Sequence, residues 1–290
     1  MDKMQTLRPH SKDLGGGFIV RRLLPSVARQ AVGPFLFFDH FGPTLATPDD
    51  DFDVRPHPHI GLATVTYLFE GAMLHRDSTG VVQRIEPGAI NWMTAGRGIV
   101  HSERTPDDLR RVARTVHGLQ LWAALPAEHE DDAPQFVHTA AVDLPTVKVG
   151  AAQLRVLIGE AFGARSPVAT LSPTLYVDIA LAPAATLELP TVAVQRALYG
   201  VDAAYRLDGT TIEPHTMVVL EAGATPQLEA VGAARLVLIG GEPLGHRHMW
   251  WNFVSSRKER IAQAADDWEA QRFTPVPGET EFIPLLDKRP

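Results

Sequence analysis

The sequence predicts an all-β protein of two β-sandwich domains, with one helix near the C-terminus. Three observations carry this. The chain has 23 glycines and 23 prolines among 290 residues, a share that suits strands and turns and disfavours a helical bundle. Those residues punctuate short apolar runs of strand length. The same pattern then restarts after about residue 150.

The elements follow in order. "GFIVRRLLP", "LATVTYLFEG", "GAINWMTAG" and "HGLQLWAAL" read as strands bounded by turns. "AEHEDDAPQ", 127 to 135, reads as an exposed polar loop between strand sets. "AAQLRVLIG", "TLYVDIALA", "AVQRALYGV", "TMVVLEAG" and "ARLVLIGG" form a second set of similar build. The two domains are expected to meet near residue 140, as 1–140 and 141–290, the second ending in the helix. That helix is expected over about 257–271. Ser256 and Glu259 have capping-box spacing, and Ile261, Ala264, Ala265 and Trp268 fall on one helical face.

Composition narrows the function. Hydrophobic residues are 45% of the chain, enough for a full core. The formal charge is −7 with no basic run, which argues against direct nucleic-acid contact. There is no cysteine, so disulfides, thiolate metal sites and cysteine nucleophiles are all excluded. The N-terminal segment shows no apolar leader and no run approaches membrane-spanning length, so a cytoplasmic protein without membrane contact is expected. G-x-S-x-G, P-loop and G-x-G-x-x-G patterns are all missing.

Two short motifs carry the chemistry: "HPH" at 57 to 59 and "HSE" at 101 to 103. In a strand, residues i and i+2 share a face, roughly 6.6 to 6.8 Å apart. His57 and His59 can therefore face one way from one strand, and His101 and Glu103 from another. If the strands are neighbours, three imidazoles and one carboxylate converge. Prolines reinforce the geometry. Arg55 and His57 each precede a proline, which pushes them into extended conformations. The absent proline N–H groups place the segment at a sheet edge or strand entrance. Past His59 the same face would continue through Gly61, Ala63 and Val65, small residues that leave room for an ion and a substrate. The competing reading is a pair of solvated histidines, and the second motif weighs against it.

The remaining histidines are read as structural. His246 and His248 repeat the H-x-H spacing but no second pair accompanies them. His40, His75, His117 and His138 are single, although His117 could line the same cavity. His215 stands alone in the second half.

Imidazole with carboxylate suits divalent iron, manganese, cobalt, nickel, copper or zinc. Four protein ligands on an octahedral ion leave two positions open. Dioxygen with one substrate oxygen, or a bidentate substrate, would fill them.

"GPFLFFDHFGP", "VRPHPHIGLATVTYLFEGAMLHRDSTG", "INWMTAGRGIVHSERTP" and "HGLQLWAALP" together resemble the pirin family. The match is strong over about residues 15 to 140 and looser through "YGVDAAYRLDG" and "GGEPLGHRHMWWNFVSS". The resemblance implies a bicupin, two antiparallel β-sandwich (cupin) domains packed face to face. It implies one metal, usually taken as iron, held in the first domain by His57, His59, His101 and Glu103. Ordinary cupins carry a glutamate four or five residues after H-x-H. Here Ala63 and Thr64 stand there, so Glu103 supplies the carboxylate, as in pirins. The second domain is expected to bind no metal.

Pirins divide in function. The resemblance implies a quercetin 2,3-dioxygenase-like enzyme that opens flavonols with dioxygen and releases carbon monoxide, with Glu103 taking the flavonol hydroxyl proton. The alternative is a non-catalytic, metal-containing, redox-sensitive regulator that binds a transcription factor or a metabolic enzyme. Trp92 and Met93 are placed either to sandwich an aromatic substrate or to fill the core. A monomer with a possible protein partner is expected.

Overall fold

The computed structural model describes residues 4–15 and 17–285. Strands dominate, and among the described residues the α-helix is Lys258–Glu269, beside two 3-10 turns at Asp107–Leu109 and Ala127–His129. No helix among these residues is long and apolar enough to cross a membrane.

The chain forms two compact units that interleave in sequence. One comprises residues up to His10, Arg22–Phe37 and Val142–Pro243; the other comprises Ser11–Arg21, Phe38–Ala141 and the chain from Leu244 on. One change of unit falls at Ala141/Val142. The chain crosses over at other points too, so neither unit is a continuous half. The physical reason is main-chain pairing. Gln5–Leu7 adds antiparallel to Met217–Leu220, which draws the N-terminus into the unit built mostly from the second half.

In that unit a sheet runs in the order Gln5–Leu7, Met217–Leu220, Gln195–Gly200, Ala234–Gly241, Thr174–Leu181, Ala152–Ile158, Thr146–Val149. A smaller sheet holds Thr186–Glu188, Gln227–Ala230, Tyr205–Leu207 and Thr210–Ile212. Alternate residues of both sheets, among them Leu154, Val177, Ile179, Leu198, Leu236, Leu187 and Leu228, meet in one apolar core. This is the inward alternation expected of sandwich strands.

The other unit carries the candidate site. Its small sheet has the order Val54–His59, Ile99–Arg104, Met73–Asp77, Val82–Ile85. "VRPHPH" is thus the edge strand, where prolines cost no ladder bond. A larger sheet runs through Gln135–Thr139, Ile90–Thr94, Leu62–Glu70 and Arg114–Ala124. The chain passes from the small sheet to the large one at Gly61. There φ is +66°, and a Cβ would lie 2.0 Å from the Val254 carbonyl oxygen. Gly61 is therefore required on two counts. The break also corrects one expectation: the histidine face does not run on through Ala63 and Val65, because a new strand starts at Leu62.

The helix buries Ile261, Ala264, Ala265 and Trp268, the four residues its periodicity selects. They pack against Ile60, Val100 and Phe253. The helix therefore packs within the compact unit that holds the "HPH" strand. The expected capping box does not form: Arg257 is the N-cap and makes no side-chain cap bond. Ser256 is engaged elsewhere. Its N–H and hydroxyl both donate to the Glu130 carboxylate. Glu130 corrects a second expectation, since it lies within the polar 127–135 loop yet is 2% exposed. It accepts from Ser255 as well and pairs with Arg247 at 2.9 Å. A buried carboxylate needs such partners.

Candidate metal centre

The two motif strands are neighbours and run antiparallel. His101 lies opposite His57, and Ile99 opposite His59. Register shifts between His101 and Glu103, so that Glu103 faces Val54 across a bulge. Such bulges re-aim side chains beside sites. Ser102 within it donates to Glu279 at 2.8 Å, and Arg104 pairs with the same carboxylate.

His57, His59 and His101 are 7%, 1% and 1% exposed. Their ligand atoms all lie within 4.8 Å of one another, and His59 Nε2 is 3.1 Å from His101 Nε2. Each Nδ1 is occupied by another partner. His57 Nδ1–H donates to the Arg55 carbonyl at 2.9 Å, and His59 Nδ1–H to the Asn252 carbonyl at 3.1 Å. His101 Nδ1 faces His75 Nδ1 at 3.4 Å. With the protons on Nδ1, the Nε2 atoms present bare lone pairs to a common point. Lone pairs facing at 3.1 Å repel unless a cation lies between them. Donors about 2.1 Å from one ion and at right angles are about 3.0 Å apart, so the triad fits an ion.

Electrostatics agree. Burial pushes the His57 imidazole down to about 4. Burial, aided by the neighbouring imidazoles, holds His59 and His101 well below the ordinary histidine value. All three are neutral at pH 7, the state that binds metal.

Glu103 does not join the histidines within the 4.8 Å spacing. Burial alone raises its carboxyl to about 7. The structure thus gathers three of the four expected ligands and leaves the fourth on the same strand, just past the bulge.

Two supporting groups, Asp77 and Asn252, lay outside the sequence reading, and a third, His75, was expected to be a single structural histidine. His75 and Asp77 lie on the strand beside His101 and Glu103, with His101 opposite Asp77 and Glu103 opposite His75. "HRD" at 75 to 77 has the same i, i+2 spacing as "HPH" and "HSE", so it carried a usable signal. Asn252 acts through its carbonyl, which no side-chain pattern reveals. Two aromatic rings support the imidazoles. Trp122 meets His59 edge-on at 5.1 Å, and Phe136 stacks on His75 at 4.3 Å.

The other histidines lie apart from the triad. His117 pairs with His40, Nε2 to Nε2 at 2.9 Å, and not with the triad. His138 bonds Asn91. His246 and His248 pack edge to face at 4.7 Å, and no third ligand-type residue among those described joins them. Trp92 and Met93 are 7% and 1% exposed on Ile90–Thr94, and the Trp92 indole donates to Thr94.

Comparison with known proteins adds context to this geometry. The Pirin family model matches residues 17–123, and the model for the Pirin C-terminal cupin domain matches 176–274. A pirin-like protein of Caulobacter vibrioides is 46% identical, covering 94% of this chain and 96% of its own. A Pseudomonas aeruginosa protein named "Putative quercetin 2,3-dioxygenase PA1205" is 39% identical, covering 92% of this chain and 84% of its own. The crystal structure of quercetin 2,3-dioxygenase from Acinetobacter baumannii superposes with a TM-score of 0.90 at 33% identity, covering 99% of this chain and 97% of that one.

Proposed function

Since the chain belongs to the pirin family, we propose that it is a divalent-metal oxidoreductase, a dioxygenase that opens flavonol-like aromatics with dioxygen and loss of carbon monoxide. The observation that carries this reading is the facing pair of Nε2 atoms, 3.1 Å apart, in a triad whose Nδ1 atoms are all engaged. The likeness to quercetin 2,3-dioxygenase supports the substrate class.

His57, His59 and His101 would hold the ion, with Glu103 as the fourth group, and iron(II) is the first choice among ions that take imidazole and carboxylate. The ion would supply open positions for a substrate oxygen and for dioxygen. Every other step falls to the chain. The Arg55 and Asn252 carbonyls hold two imidazoles in orientation, which fixes the donor atoms before anything binds. Trp122 packs against His59 and limits its rotation. Glu103 takes the proton from the flavonol hydroxyl. A carboxyl near 7 is poised for that role at neutral pH. Binding to the ion would weaken it as a base, so Glu103 must loosen to act.

The test is anaerobic purification, loading with iron(II), and oxygen uptake with quercetin alongside detection of carbon monoxide. Uptake that depends on both iron and flavonol supports the reading. No uptake by fully loaded protein across several flavonols and pH values would overturn it in favour of a regulatory metalloprotein.

A further inference from the structure

The three imidazoles are not oriented in the same way. His57 and His59 each donate to a main-chain carbonyl, an acceptor that cannot change roles. His101 instead meets another imidazole, His75. His75 in turn meets Asp77, Nε2 to Oδ2, at 2.9 Å. Asp77 is 0% exposed and His75 5%. The other Asp77 oxygen accepts from the Thr79 N–H at 2.8 Å, the Thr79 hydroxyl at 2.6 Å and the Val81 N–H at 3.3 Å.

With a neutral imidazole at His75, these contacts leave one consistent proton arrangement. A carboxylate only accepts, so His75 carries its proton on Nε2. Its Nδ1 is then an acceptor, and His101 must supply the proton from Nδ1. That leaves His101 Nε2 bare toward His57 and His59. We propose that Asp77 and His75 are positioning residues that impose the Nδ1–H tautomer on His101 and so keep the triad able to take a metal ion. This rests on the metal-binding reading above, though not on any turnover of substrate. Partners that orient a ligating imidazole in this way typically contribute roughly 10- to 100-fold to metal affinity.

Asp77→Asn tests the idea because it reverses the arrangement at constant shape. The three donors around Thr79 and Val81 hold the amide oxygen on their side. The amide NH2 must then face His75 Nε2. His75 would shift its proton to Nδ1, and His101 would carry its own on Nε2, aimed into the triad. His75→Phe keeps the ring stacked on Phe136 and removes both hydrogen bonds.

The experiment measures nickel(II) affinity by competition with a chromophoric chelator. It also reads the His101 tautomer of metal-free protein from imidazole 15N shifts, with circular dichroism to check folding. Asp77→Asn should bind nickel roughly 10- to 100-fold more weakly and show His101 protonated at Nε2. His75→Phe should lose less. The double variant should return to the level of His75→Phe, because the misdirecting proton is gone. Three results overturn the proposal: Asp77→Asn within twofold of wild type, losses that simply add in the double variant, or wild-type His101 protonated at Nε2. If Asp77→Asn fails to fold, the wild-type tautomer and the affinity of His75→Phe decide the matter, the proposal failing if that variant binds nickel as tightly as wild type. A wild type that binds nickel in this tautomer yet consumes no oxygen with quercetin would sink the dioxygenase reading and leave this inference standing.

Discussion

His59 donates from Nδ1 to the main-chain carbonyl of Asn252 at 3.1 Å, across 193 positions of sequence. The hairpin that supplies this carbonyl pairs His248–Trp250 with Phe253–Ser255. It is fastened from below as well, since the Val254 N–H donates to the Ile60 carbonyl at 3.2 Å. A candidate metal ligand from the first quarter of the chain is thus oriented by a turn from its last fifth. Disturbing that contact should reach the ion.

Gly61→Ala is the direct way to disturb it. The new Cβ would sit 2.0 Å from the Val254 oxygen, at a φ of +66°. The left-handed conformation alone costs about 1 kcal/mol or more, and the backbone must also move. Urea unfolding should show a loss above that figure, with weaker nickel binding. Gly150→Ala is the control. It shares a positive φ of +56° but has nothing within 4 Å, so it should show the conformational cost only and unchanged nickel binding.

Arg247→Met should be more damaging to stability. The Arg247 and Glu130 side chains are 8% and 1% exposed, and they pair at 2.9 Å. Removing one partner from a buried pair costs roughly 3 to 5 kcal/mol, because the other charge stays buried. Glu130→Gln added to Arg247→Met should recover much of this. The glutamine oxygen can still accept from Ser256, and the unpaired charge is gone. If the double variant is no more stable than Arg247→Met in urea titrations, the pair is not the cause.

These contacts show what the sequence could and could not reveal. "HPH" and "HSE" were legible because strand alternation is a local rule, and the prolines located the edge. "HRD" obeys the same rule and could have been read. The Asn252 carbonyl could not, because any residue there offers one. The interleaved units were hidden for the same reason: the pairing of Gln5–Leu7 with Met217–Leu220 is made by main-chain bonds. Ser256 misled because capping-box spacing is only local. Glu130, buried 126 positions away, takes its donors instead.

The metal-free protein should lose stability on mild acidification. Burial takes His57 from 6.5 to about 4 on folding, and holds His59 and His101 well below 6.5. Between about 4 and 6.5 the unfolded chain therefore binds protons that the folded triad refuses. Each such group lowers stability by up to about 1.4 kcal/mol per pH unit as pH drops. Glu103 acts in the opposite sense. Its carboxyl rises from 4.5 to about 7, so between those values the folded state binds the extra proton. Three histidines outweigh one glutamate, and Tm should fall from pH 7 to pH 5. In Glu103→Gln the opposing group is gone, and Tm should fall more steeply. A shallower slope in Glu103→Gln would contradict the assignment.

The sharpest test of the chemistry compares His101→Ala with Glu103→Gln in iron-loaded protein. His101 is central to the triad, with one neighbour at 3.1 Å and His57 ring to ring at 4.4 Å. Its loss leaves a site too poor in donors to hold a labile ion, so metal content and oxygen uptake should fall together. Glu103 is placed differently, beyond the bulge and outside the close triad. Gln keeps its size and one oxygen donor while removing charge and basicity. If Glu103 takes the flavonol proton, the variant should retain most of its iron yet turn over roughly 10²- to 10⁴-fold more slowly. The loss should be partly offset at high pH, where the flavonol hydroxyl ionises without help. Full activity with full iron would exclude the proton-transfer role. Loss of iron in step with activity would instead make Glu103 a ligand alone. Measuring iron and rate on the same samples separates these outcomes, because loss of the base lowers turnover per bound ion whereas loss of iron alone leaves it unchanged.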